Sequence, residues 1–91
     1  MSWMVGVMLE VEGEPAPVRH FYAVGHDDQA RAEWAAVDAA LALGAVATSP
    51  IGGIEPVTAF ARLTPRTIKR MGLTEGRVHP LGRIWPRRWL A

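Results

Sequence analysis

The residues best suited to chemistry in this chain are cationic and aromatic, and they crowd its last third. Arg62, Arg66, Lys69, Arg70, Arg77, Arg83, Arg87 and Arg88 carry the charge, and Trp85 and Trp89 stand among the last arginines. A guanidinium grips phosphate through parallel hydrogen bonds and stacks on planar rings. A tryptophan gives a nucleic-acid base a platform. The combination suits flexible or single-stranded nucleic acid. It also suits a tail folded back on its own domain, with the two tryptophans against apolar surface and the arginine stems over the edge of the core. Pro86 argues against a regular helix there.

Acid–base chemistry has thinner support. His26-Asp27-Asp28 holds a base beside two carboxylates, and His20 and His79 are the other imidazoles. The cluster reads more simply as a loop closing on a helix cap. Ser2 and Ser49 are the only serines, and neither stands in a nucleophile elbow or a triad spacing. There is no cysteine, which removes a thiol nucleophile, a thiolate metal site and a disulfide framework together. His20 and His26 with Asp27 or Asp28 offer mixed nitrogen and oxygen ligands at a spacing that matches no metal motif. Gly52-Gly53 leads towards a strand and not a helix, so it reads as a turn and not a phosphate loop. No catalytic residue, metal or cofactor is expected, and the chain reads as non-enzymatic.

The whole chain is 91 residues, enough for one domain with a modest core. Its net charge of +1 hides a split. Residues 1–45 hold two basic and seven acidic side chains, and residues 46–91 hold eight and two. Such asymmetry marks an anionic partner, or two halves that neutralise each other on folding. The apolar run from Trp3 to Leu9 lacks the charge of a leader and the length of a membrane span. With no cysteine to staple a small core, a cytoplasmic, membrane-free protein is expected.

The elements that must position these residues follow from period and punctuation. Trp3, Val5, Val7, Leu9 and Val11 alternate with polar residues at the end of a first strand, and Val18 to Val24 makes a second. The Gly13–Pro17 stretch between them predicts a hairpin. Asp27 or Asp28 caps a long helix running to about Leu43, with Gly44 as its left-handed stop. Ala30, Trp34, Val37 and Leu41 fall on one stripe, taken as the buried face. Ala32, Ala35, Ala39, Ala42 and Leu43 lie opposite, a mild surface open to a subunit contact. Val46 to Pro56 reads as a loop, Val57 to Leu63 as a strand and Arg77 to Leu81 as another. Met4, Met8, Phe21 and Phe60 are expected on the outer sheet face, under a second copy or the tail.

The segment between those last strands carries the clearest local chemistry. Thr64 is an N-cap, Pro65 takes the first helical position, Leu63 and Ile68 can staple, and Gly72-Leu73 ends the helix. Leu63 to Val78 resembles the strand–Pro–helix–Gly-Leu-x-x-Gly–strand core of AbrB/MazE-type swapped-hairpin transcription regulators. That resemblance implies a dimeric DNA-binding barrel with Arg62 and Arg66 towards phosphate. It covers under a quarter of the chain, and Ala59-Phe60-Ala61-Arg62 stands where the family has a glycine-bearing approach strand.

The expected fold is α+β: a small, mostly antiparallel sheet in the order hairpin, long helix, strand, short helix, strand, with the long amphipathic helix packed on it. Residues 1–81 form the domain, and residues 82–91 a basic aromatic tail docked on it. The expected function is a small interaction module, self-associating as a dimer and meeting a protein partner through an apolar–basic surface around Phe60, Trp85, Arg87, Arg88 and Trp89. The alternative is a nucleic-acid-binding or regulatory protein. Its contacts would come from Arg62, Arg66, Lys69, Arg70, Arg83, Trp85, Arg87, Arg88 and Trp89.

Overall fold

A computed structural model describes residues 2–50 and 52–91. Its centre is β1 (Trp3–Glu10), which pairs antiparallel with β2 (Val18–Val24) on one side. On its other side β1 pairs with β4 (Val57–Arg62) over Trp3–Val7 and with the two-residue β3 (Ala45–Val46) at Leu9 and Glu10. The outer flank of β2 carries β5 (Val78–Gly82), also antiparallel. The result is an α+β fold with five antiparallel strands and two helices, α1 (Gln29–Ala40) and α2 (Pro65–Met71). Among the described residues, no helix is long and apolar enough to cross a membrane.

Because β1 is central, both of its faces are covered, and Met4 to Leu9 are buried without a break. Val5, Val7 and Leu9 point to one face, where Tyr22, Val24 and Ala59 join them beneath α1. Met4 points to the other, with Ala23, Leu63 and Leu73. Phe21, Ile68, Met71, Leu81, Trp85, Trp89 and Leu90 pack against that second cluster. The alternation of a strand therefore feeds two separate cores.

Three expectations need correction, and all concern α1. The helix is not long. It holds 12 residues, from the Asp28 cap, whose carboxylate accepts from the Arg31 amide at 2.9 Å, to Ala40. Gly44 is not a left-handed stop. Leu41 ends the helix in a right-handed conformation, and Gly44 is small because a Cβ there would strike the Glu10 carbonyl oxygen of β1. Most consequentially, the buried stripe is the alanine one. Ala32, Ala36 and Ala40 are fully buried, whereas Trp34 is 71% and Leu41 58% exposed. Methyl groups let the helix axis settle close to the sheet, and bulky side chains in their place would hold it off. The stripe of Ala32, Ala36 and Ala40 is thus core, and of the surface read as open to a subunit contact only Ala42 and Leu43 are exposed.

Two α1 side chains also finish the sheet. Gln29 Nε2 donates to the Ala59 carbonyl at 3.1 Å, and the Ala59 amide donates to Glu33 Oε2 at 2.9 Å. They occupy the outward backbone groups of Ala59 in the middle of β4, an edge otherwise open to strand addition.

Candidate functional site

The segment that builds the site is α2 with the chain end that crosses it. Thr64 Oγ1 accepts from the Thr67 amide at 3.2 Å and shares a 2.7 Å hydrogen bond with the Thr67 hydroxyl. Pro65 opens the helix, and Gly72 closes it at φ 62°. The Leu73 amide then donates to the Ile68 carbonyl at 3.0 Å, and that of Gly72 to Lys69 at 3.1 Å, a Schellman ending. These caps fix a short helix that propensity alone would not hold.

The chain end is laid beside it by backbone bonds. The Thr64 amide donates to the Trp89 carbonyl at 2.8 Å, the Ala91 amide to the Arg62 carbonyl at 2.8 Å, and Leu63 bridges to Leu90. A 3-10 turn over Arg87–Trp89 brings Arg88 and Trp89 over α2. Arg66 and Arg70, four residues apart, share one face of that helix. The outcome is a cleft of about 120 Å³ lined by Thr64, Arg66, Thr67, Arg70, Arg88 and Trp89. No carboxylate lines it. The ion pairs among the described residues are Arg62–Asp27 at 3.3 Å and Arg83–Glu14 at 3.2 Å, and neither involves Arg66, Arg70 or Arg88.

The remaining residues singled out from sequence lie elsewhere. Lys69 and Arg87 are exposed near the cleft but do not line it. Arg83 reaches back to the hairpin turn at Glu14. Trp85 joins Phe21 and Phe60 in a three-ring cluster with centroids 5.8–5.9 Å apart. Arg62 lies 4.3 Å above the Trp3 ring and pairs with Asp27.

That last arrangement belongs to a larger cleft, about 590 Å³, which also contains His26, Asp28, Arg31 and Glu75. Four of its groups are already committed to structure. Asp28 caps α1, Asp27 holds Arg62, and Trp3 Nε1 donates to the Asp27 carbonyl at 2.9 Å. Among the described residues no group of three or more His, Cys, Asp and Glu side chains is placed to hold a metal ion.

One cation escaped notice in the sequence. Arg19 lies 5.0 Å from the ring centroids of both Phe21 and Phe60. It crosses over Gly6, where a Cβ would stand 2.5 Å from its Nε. Burial pushes its pKa below the ordinary arginine value. Two ring faces supply the electrostatic partner that a carboxylate would otherwise give. The available signal was Gly6 inside an alternating strand, with Arg19 and Phe21 two residues apart on one face of the next.

No family model, curated protein or solved structure matches this chain. The strands flanking α2 both pair within the one chain, β4 with β1 and β5 with β2.

Proposed function

We propose that this chain is a small non-enzymatic interaction module that takes single-stranded nucleic acid on the face formed by α2 and the chain end. The observation that carries the reading is the cleft where Arg66, Arg70 and Arg88 meet Trp89 with no carboxylate between them. Three guanidinium groups without counter-charges favour phosphates, and a partly buried indole at the cleft wall favours an unstacked base. At about 120 Å³ the cleft falls well short of the roughly 300–1,000 Å³ of a drug-sized pocket, which supports contact with a repeating polymer over capture of a small molecule. The absence of cysteine suits work in the reducing cytoplasm.

Fluorescence anisotropy of a labelled oligothymidylate at several salt concentrations tests this. Single-strand binding with three phosphate contacts gives a slope of log affinity on log salt of about −2. Arg70→Ala weakens binding and makes the slope shallower by about 0.7. No binding at low salt, or binding indifferent to replacing Arg66, Arg70 and Arg88 together by alanine, would falsify the reading.

A second reading, self-association, is favoured by a separate observation. The outward ridge of α1 leaves Trp34 71% and Leu41 58% exposed, with Leu43 at 50% nearby. Light scattering across a concentration series reads it directly.

A further inference from the structure

Four residues make that ridge: Ala30, Trp34, Val37 and Leu41, at successive spacings of four, three and four. This is the seam of a two-helix coiled coil, about one and a half heptads long. It lies to the side of the alanine stripe that meets the sheet, with Trp34 and Leu41 projecting into solvent and Val37 partly covered. Its flanks are asymmetric. Arg31 and Asp38, both exposed, border one side, and Glu33 and Ala40 border the other. Ala40 is buried, and Glu33 is held by the Ala59 amide.

We infer that α1 pairs with α1 of a second copy of this chain, antiparallel about a two-fold axis. The inference rests on the self-association reading and specifies its geometry. In the antiparallel register Trp34 faces the second copy's Val37, and Ala30 faces its Leu41. Arg31 then stands beside the second copy's Asp38, and the symmetry repeats the pair at the other end. On the opposite flank Glu33 is held by the Ala59 amide and Ala40 is sealed in the core, so no like charges collide. A parallel pair would set Glu33 against Asp38 at both flanks, and repulsion there disfavours it. Charge therefore selects the direction.

The neighbouring surface has a shape for the incoming ring. A groove of about 250 Å³ between α1 and β4 is lined by Glu33, Trp34, Val37 and Val57. The second copy's Trp34, placed over Val37, enters it. Tryptophan in such a position carries a large share of the binding energy of an interface. A helix pair of 12 residues buries less than the roughly 800 Å² per partner of a standard interface, so the dimer is a concentration-dependent one.

Sedimentation velocity of the full chain over a broad concentration range, with charge reversals, tests the geometry. Arg31→Asp and Asp38→Arg each turn two attractive pairs into repulsive ones and weaken dimerisation roughly tenfold. The double reversal, Arg31→Asp with Asp38→Arg, restores the parent affinity. Trp34→Ser abolishes the dimer while leaving the melting temperature of the monomer within about 2 °C, because the ring is exposed. A parent that stays monomeric throughout overturns both self-association and this geometry. A dimer that forms but ignores the reversals, or a double reversal that fails to restore it, overturns the antiparallel pairing alone.

Discussion

The two faces of the sheet are built by opposite means. Beneath α1 the core is close-set, with Val5, Val7, Leu9, Tyr22 and Val24 meeting the methyl groups of Ala32, Ala36 and Ala40. Beneath α2 it is coarse, made of Met4, Leu63 and Leu73 roofed by Trp85, Trp89 and Leu90. The first face is closed by a helix whose bulky residues point away. The second is closed by a seven-residue helix and a chain end whose outer surface carries arginines. Small residues produce a tight seal that leaves large ones free on the outside. Large residues roof the second face from a short helix and the chain end, and arginines on those same two segments line a cleft.

The largest effect is expected on the tight face. Ala36→Asp places a carboxylate in a fully buried position against apolar side chains. The cost is at least about 4 kcal/mol, a large fraction of the stability of a domain this size. Circular dichroism should show an unfolded chain. Trp34→Ser, two residues away on the same helix, should leave the melt almost unchanged. If the two variants behaved alike, the orientation of α1 would be wrong.

On the coarse face, truncation after Leu81 removes Trp85, Trp89 and Leu90 from the second core, along with the backbone bonds to Arg62 and Thr64. The loss is about 2–4 kcal/mol, which lowers the melting temperature by more than about 8 °C. A melting point that did not move would mean the chain end is a loose arm.

The smallest effect separates the faces by pH. Tyr22, the chain's only tyrosine, is buried in the tight core, and burial raises its pKa above the ordinary 10.0. A raised folded-state value means the contribution is intact below about pH 10 and is lost as pH climbs towards the folded pKa. Urea midpoints measured between pH 9 and 11 should fall, and Tyr22→Phe should remove this part of the fall. Equal declines in both proteins would place the titration elsewhere.

Much of this architecture was readable in advance, for physical reasons that differ by element. The hairpin announced itself through alternation in Trp3–Val11 and the glycine–proline turn. The α2 caps were legible because each bond joins near neighbours, from Thr64 to Thr67 and from Ile68 to Leu73. The orientation of α1 was not legible. Both of its faces are apolar, so hydrophobicity favours the bulky stripe, whereas the sheet selects the one that permits closest approach. β3 is two residues long and exists only because Gly44 lets the chain touch β1 at Glu10. Within the cleft, Arg66 and Arg70 declared a shared face by their spacing. Their meeting with Arg88 and Trp89 depends on the bridge from Leu63 to Leu90, a contact between distant residues. Arg62, only two residues before Thr64, turns its side chain to Trp3 and Asp27 and so does not line the cleft.

The most direct test of the central claim, that the α2 face is the binding face, is an amide chemical-shift titration of the labelled protein with oligothymidylate. The account predicts that Thr64–Arg70 and Arg87–Leu90, with the Trp89 indole, shift together while Gln29–Ala40 stays still. Shifts concentrated on α1, or none at saturating oligonucleotide in low salt, would contradict it.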